Sequence, residues 1–182
     1  MMNLKTFSPD QLGIVTNAVA IAEELVSNHY KMSASEWLRP KYDVKTLIDL
    51  SPEEIVHGPF AQIVRYHAQR KDASLGSSTY DYYKICLQDH AIHSALDESS
   101  HMQLLPFSIY IVTHELIHIV RFSKFLQSFD AAPEDRMAEE KRVHDMTHQI
   151  LGQIRIAGIS NVLKFYHKWR LPYEELHHGK EY

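Results

Sequence analysis

The segment IVTHELIHIV, at 111–120, constrains the fold of this chain more than any other. Apolar or uncharged side chains fill 111–113, 116–117 and 119–120, and neither Gly nor Pro interrupts the run. This pattern predicts a buried helix. The helix also carries His114, Glu115 and His118. Because each buried polar group without a partner costs on the order of 1–3 kcal/mol, these side chains need a ligand or polar neighbours.

The spacing of the two histidines indicates which partner fits. His114 and His118 lie four positions apart, so they project from one face of the helix and can bind a single metal ion. Glu115 lies one residue further round, where it can reach a metal-bound water without binding the metal itself. That is the position of a general base in metal-assisted hydrolysis. A purely structural cluster of His and Glu is the alternative interpretation.

The H-E-x-x-H motif and its apolar flanks resemble the active-site helix of the zincin metallopeptidases. The resemblance covers Tyr110–Gln149 and, less specifically, the segment 79–87. It implies one Zn²⁺ per chain, which lowers the pKa of its bound water towards about 7. Glu115 would take the proton and later deliver it to the leaving amine. The expected activity is that of a zinc-dependent hydrolase, a metallopeptidase with a peptide or protein substrate.

A catalytic zinc site needs a third protein ligand besides the two histidines of the motif. Metzincins place a His six residues after the second motif His and a Gly at the third. This chain has Lys124 and Arg121 at those positions, so it does not fit that subclass. Gluzincins take a Glu from a following helix instead. The downstream segment AEEKRVHDMTHQIL, at 138–151, is the place to look for it.

Helical phase selects one carboxylate in that segment. Glu140 and His144 share the side of the predicted helix that carries Met137 and Leu151. We therefore predict that Glu140 is the third metal ligand. Glu139, about 100° round the helix, and His144 are the competing candidates.

His144 stands where gluzincins often carry an Asp that orients a ligand. It is predicted to hold a ligand by a hydrogen bond, to act as a fourth ligand, or to donate to the transition state. His148, one turn later, is expected to be a partly exposed polar residue. Tyr83 and Tyr110 are candidates for stabilising the oxyanion, and aromatic core filling is the alternative role for each.

The chain is predicted to fold as one mainly α (α+β) domain over 1–182, with zincin-like helices and a small edge sheet or strand before the motif helix. Helices are predicted over 9–29, 60–69, 104–129, 134–156 and 161–169. The segment 79–87, rich in aromatic and β-branched residues, is the best strand candidate, although it also suits the front of a helix. The resemblance implies that this strand is the sheet edge beside the cleft.

Composition and charge exclude several functions. The net charge is −4 and Lys and Arg are scattered, which argues against nucleic-acid binding. The single cysteine, Cys86, rules out a disulfide framework and a Cys-based zinc site, and favours a reducing compartment. The N-terminus lacks the apolar core of a signal peptide, and no unbroken apolar run reaches the length of a membrane span. We therefore expect a cytoplasmic protein with no membrane partner.

A ferritin-like di-iron protein is the alternative from a different class. Glu115–His118 also has the spacing E-x-x-H, and so does Glu54–His57. Ferritin-like bundles pair two such motifs with further carboxylates, here Glu23 or Glu24 and Asp89, to bind Fe instead of zinc. A zincin-like protein that binds metal without catalysis is the third hypothesis.

Overall fold

A computed structural model of the chain describes residues 4–37, 41–69 and 79–167. Within these ranges the elements follow the order α1 (Pro9–Tyr30), α2 (Ala34–Trp37), β1 (Lys41–Lys45), β2 (Ala61–Gln69), β3 (Thr79–Leu87), α3 (Asp89–Glu98), α4 (Leu104–Ser123), α5 (Pro133–Leu151) and α6 (Ile159–Tyr166). Short 3-10 turns at Leu47–Asp49 and Pro52–Glu54 lie between β1 and β2. The prediction of a mainly α fold with a small sheet before the motif helix is confirmed.

Helix α4, which carries the H-E-x-x-H motif, lies at the centre of the core. Its side chains are buried almost without a break from Pro106 to Arg121. A helix that is apolar on all sides must be covered on all sides. Helices α1, α5 and α6 and strands β2 and β3 provide that cover. The motif is therefore held on a rigid element.

Helix α1 begins where its sequence predicts. The hydroxyl of Ser8 accepts from the backbone of Gln11, the side chain of Gln11 accepts from the backbone of Ser8, and Pro9 occupies the first turn. Its buried face repeats at the helical spacing and consists of Val15, Ala18, Ala22 and Val26. The two small alanines, both fully buried, allow α1 to pack closely along α4.

The three strands form one sheet in the order β1-β3-β2. Strand β1 runs parallel to β3, and β2 runs antiparallel to it. Ile85 of β3 is fully buried and pairs with Val44 on one side and with Ile63 on the other. The segment 79–87 is thus a strand, as preferred from the sequence. The expectation that it is the edge strand is wrong, because β3 is central and β2 is the edge that borders the cleft.

The segment 60–69, predicted to be helical, forms β2 instead. Ala61–Gln69 pairs with Thr79–Leu87 along its whole length. The β-branched pair Ile63 and Val64 suits a strand. The pairing of β2 with β3 decides the conformation of this segment. It is a non-local interaction, so the periodicity of the segment does not predict it.

Helix α4 ends at Ser123, six residues before the predicted end at Phe129. Phe125 adopts a left-handed φ of 54°, and the backbone N–H of Leu126 donates to the carbonyl of Arg121 at 2.9 Å. The chain therefore turns back towards the motif. Helix α5 likewise ends at Leu151, before the predicted 156. The predicted end of the last helix, at 169, lies outside the described residues.

By length and composition alone, α4 could cross a membrane. In this fold 83% of its most apolar window is buried against other elements. The core helix of a folded domain passes the same test, so the burial of α4 accounts for its composition.

Glu54 fastens the segment between β1 and β2 to the sheet. Its carboxylate accepts from Lys84 Nζ at 2.6 Å and from the Tyr66 hydroxyl at 2.5 Å. Its backbone carbonyl accepts from the side-chain amides of Gln62 and Gln88 at 3.0 and 2.9 Å. The segment that follows Glu54 contributes Gly58 and Pro59 to the wall of a cleft between β2, α4 and α5.

This carboxylate gives the fold a defined acid sensitivity. Hydrogen bonds from Lys84 and Tyr66 lower the pKa of Glu54 from 4.5 to about 2. A depressed folded-state pKa stabilises the fold above the unfolded pKa, and this contribution is lost as the pH falls from about 4.5 towards about 2. We expect Glu54→Gln to lower the free energy of unfolding by about 2 kcal/mol at pH 7 and by much less near pH 2. Urea unfolding at both pH values measures the difference, and equal losses would contradict this account.

Candidate metal centre

Three side chains from α4 and α5 converge on one point. The distance between His114 Nε2 and His118 Nε2 is 3.2 Å. Glu140 places Oε2 at 3.2 Å from His114 Nε2 and Oε1 at 3.2 Å from His118 Nε2. Among the described residues, these three form the one group of His, Cys, Asp or Glu with the spacing of a metal site.

These distances fit a tetrahedral metal ion. Ligands bound to zinc at about 2.0–2.1 Å in tetrahedral geometry are about 3.3 Å from one another. The two nitrogens lie 3.2 Å apart and each lies 3.2 Å from a different oxygen of Glu140, which is close to this separation. Two imidazoles and a carboxylate are also a donor set found in catalytic zinc sites, which keep a further position open for water. The residues present therefore fit the ion that the motif implies.

The turn after α4 orients one of the two imidazoles. Gln127 Oε1 lies 3.0 Å from His118 Nδ1. When Nδ1 donates its proton to this amide oxygen, the lone pair of the ring is on Nε2, which faces His114 and Glu140. The early end of α4 thus has a function, because a helix continuing to 129 would carry Gln127 away from the motif.

Burial and neighbouring charges shift the pKa values of His118, Glu140 and Glu115 in different directions. Burial alone would lower the pKa of His118, but the carboxylate of Glu140 raises it to about 9. Burial would raise the pKa of Glu140, but the hydrogen bonds from His114 and His118 hold it well below its usual range. For Glu115, burial raises the pKa even though both histidines oppose it. Glu140 therefore stays ionised beside the imidazoles.

The cluster lies in a cavity of about 870 Å³ between β2, α4 and α5. Such a volume is typical of a small-molecule or peptide site. Glu115 lines this cavity and is partly buried, beside the two histidines of the motif. Aromatic and aliphatic side chains form most of the remaining wall, among them Phe60, Ile63, Ile111, Phe122, Phe129 and Tyr166. The carboxylate of Glu115 and the three candidate metal ligands thus face one apolar cleft.

His144 lies in the cleft but not in the three-residue cluster. Its ring centroid is 4.3 Å from that of His114. The hydroxyl of Tyr110 lies 2.8 Å from His144 Nδ1 and 3.1 Å from His148 Nδ1. His148 Nε2 lies 3.0 Å from the carbonyl of Leu163 on α6. A chain of hydrogen bonds thus holds the ring of His144, and burial, aided by His114, lowers the pKa of His144 to about 3.

Glu139 points away from the cluster. Its carboxylate forms one ion pair with Arg121 of α4 and another with Arg142, at 2.8 Å. Glu139 and Arg121 are both buried. Glu139 lies four residues before Val143, which is fully buried, and this helical phase takes Glu139 towards α4. Glu139, the competing candidate ligand, thus forms a structural ion pair that holds α5 against α4.

The buried ion pair makes Glu139 a structural residue. We expect Glu139→Ala to lower the free energy of unfolding by about 3 kcal/mol, because Arg121 would be left buried without its carboxylate. Chemical denaturation with and without zinc measures this loss. Exchanging the pair together, as Arg121→Met with Glu139→Leu, should recover much of the stability. An unchanged free energy of unfolding in Glu139→Ala would show that the ion pair contributes nothing to stability.

The remaining sequence candidates lie elsewhere. Tyr83 stacks on Phe122 with ring centroids 5.8 Å apart and serves as core filling. Glu54 is engaged by Lys84, the carboxylate of Asp89 accepts from the backbones of Phe7 and Leu47, and Glu23 accepts from Tyr42. Among the described residues, no second metal cluster accompanies His118. Cys86 is fully buried, which raises the pKa of its thiol to about 12, as its apolar neighbours suggest.

Sequence reasoning missed Gln127 and Arg136. Gln127 was assigned to a continuous helix, and only the turn at Phe125 brings it to His118. Arg136 precedes Glu140 by one helical turn, so Arg136 lies on the same helical stripe that selected Glu140.

Comparison of the chain with protein-family models, curated proteins and solved structures found no match. The function therefore has to be argued from the site itself.

Proposed function

We propose that this protein is a zinc-dependent hydrolase that cleaves peptide bonds. The observation that carries the proposal is the triangle formed by His114 Nε2, His118 Nε2 and the Glu140 carboxylate, in the wall of an apolar cleft that Glu115 also lines. The two nitrogens lie 3.2 Å apart, and each lies 3.2 Å from a different oxygen of the carboxylate. The three side chains would hold one zinc ion per chain. A zinc ion in this position supplies a Lewis acid and lowers the pKa of water to about 7.

Glu115 acts as the general base. Its carboxylate takes a proton from the water whose oxygen attacks the substrate carbonyl carbon. When the bond between that carbon and the amide nitrogen breaks, the proton on Glu115 passes to the nitrogen and the amine leaves. Glu115 suits this role because it faces the cleft beside the metal ligands but does not belong to the ligand triangle.

His144 stabilises the developing oxyanion. It lines the same cleft, and Tyr110 holds its Nδ1 side at 2.8 Å. If the hydroxyl of Tyr110 donates to Nδ1, the ring proton is on Nε2, which can then donate a hydrogen bond. A neutral imidazole donor fixed by its neighbours can stabilise negative charge without reorganising.

Metal analysis and a substrate screen together test the proposal. Protein purified without added metal should contain close to one zinc per chain, and His114→Ala should contain almost none. The zinc-loaded protein should cleave members of a broad peptide library. Absence of zinc, and no uptake from micromolar zinc, would overturn the metal site. Stoichiometric zinc without any cleavage above background would favour a metal-binding protein that lacks hydrolase activity.

A further inference from the structure

Arg136 is the one Lys or Arg among the described residues that line the cleft. It lies in α5, one turn before Glu140, so both side chains project from the same side of the helix. Its side chain is exposed to solvent at the cleft wall. A guanidinium here is within the same cavity as the metal ligands and Glu115.

The ion pairs of the other arginines around the cleft make Arg136 unusual. Arg65 pairs with Asp130 at 2.8 Å and lies over the ring of Phe129, and Arg121 and Arg142 both pair with Glu139. The guanidinium of Arg136 has neither an ion pair nor a hydrogen bond within the described part of the chain. The acid one turn away, Glu140, instead directs its oxygens to the two imidazoles.

Helix stability does not explain an arginine at this position. Arg136 is the fourth residue of α5, and the positive end of the helix dipole disfavours a cation there. An Arg placed four residues before a Glu is also the weaker orientation for a helical ion pair. The acidic residues of the first turn, Glu134 and Asp135, are the ones that suit the dipole.

The charges of the zinc-loaded cleft favour an anion. Glu115 and Glu140 are the carboxylates among its described lining residues, and Arg136 is the matching cation. With a divalent ion bound, the lining carries one net positive charge, although the chain as a whole carries −4. Apolar walls around a net positive charge strengthen its attraction for an anionic group.

We propose that the substrate is a peptide bearing a carboxylate that Arg136 binds inside the cleft, near the bond to be cleaved. This inference rests on the proposed function, since it names a substrate class for the same site. The carboxylate can be the C-terminus of the peptide or the side chain of an Asp or Glu. A guanidinium binds either through paired, charge-assisted N–H donors.

Binding to a catalytically silent protein tests the proposal without relying on turnover. The probe is a set of short peptides in matched pairs, one pair differing in a C-terminal carboxylate or amide and the other in an internal Glu or Gln. Calorimetry with the full, zinc-loaded Glu115→Gln chain should show the carboxylate member of one pair binding about tenfold tighter, or about 1.4 kcal/mol. The pair that shows the preference identifies the source of the carboxylate. The preference should shrink at high salt because Arg136 is exposed.

A second arginine supplies the matched control. Arg155 is exposed, does not line the cleft, and likewise has no side-chain partner among the described residues. Adding Arg136→Gln to the silent protein should abolish the preference, while adding Arg155→Gln should leave it intact. Thermal unfolding and zinc content confirm that both variants are folded and loaded.

The possible outcomes separate this inference from the proposed function. Equal affinity within both pairs, or an unchanged preference in Arg136→Gln, would overturn the inference. If wild type cleaves neutral peptides while no carboxylate preference exists, the hydrolase proposal stands and the role of Arg136 falls. If Arg136 controls carboxylate binding but no peptide is cleaved, Arg136 keeps its role as an anion-binding residue and the hydrolase proposal falls.

Discussion

Glu115→Gln is expected to retain the fold and the bound zinc but to lose peptide turnover by about 10³-fold or more. The amide has nearly the size of the carboxylate, and Glu115 is not one of the three residues that form the candidate metal site. The amide of the variant cannot, however, accept the proton of the attacking water. Zinc content, circular dichroism and kcat on the best peptide from the library are the measurements.

Two comparisons make this result specific. Glu134→Gln changes an exposed carboxylate at the start of α5 that does not line the cleft, and it should leave both zinc content and kcat unchanged. His114→Ala should lose zinc and activity together. Retention of wild-type kcat in Glu115→Gln would remove Glu115 from the mechanism, and a loss of zinc would assign it to the metal site instead.

The elements with strong local signals were predictable from the sequence. Strand β3 has the predicted bounds, 79–87, and α1 and α4 begin where capping and periodicity place them. The motif helix has an apolar composition that only a central, fully covered helix can satisfy. These signals are local because the side chains that specify each element lie within it.

Non-local interactions produced the errors. Strand β2 was predicted as a helix because its pairing with β3 is invisible in its own sequence. The end of α4 depends on the left-handed φ of Phe125. A phenylalanine rarely adopts this conformation, so the sequence does not predict it. The interaction of Gln127 with His118 follows from that turn and was missed with it.

Helical phase located the inward face of α5 only in part. His144, Thr147 and Leu151 are buried as the stripe requires, but Met137 is 55% exposed. The same phase gave Glu139 and Glu140 different faces. It could not show that Glu139 meets Arg121, since that contact depends on how α4 and α5 pack.

The distinction between these two neighbouring acids leads to the second large effect. Glu140→Ala is expected to weaken zinc affinity by more than about 100-fold, because it removes one of three donors from the ligand triangle. It should cost the metal-free protein less stability than Glu139→Ala does, since the side chain of Glu140 is 55% exposed and that of Glu139 is 8% exposed. Competition with a zinc chelator measures the affinity, and urea unfolding of the metal-free protein measures the stability.

Glu139→Ala should give the opposite pattern. Its side chain is 8% exposed and holds Arg121, so the variant should lose stability while the folded fraction still binds zinc with nearly the wild-type affinity. Equal zinc affinity in wild type and Glu140→Ala would mean that another group, with His144 first in line, completes the site. An affinity loss in Glu139→Ala as large as that in Glu140→Ala would mean that the placement of α5, more than one carboxylate, holds the metal. Because the two adjacent acids lie on different faces of one helix, we expect Glu140→Ala to lose mainly zinc affinity and Glu139→Ala to lose mainly stability.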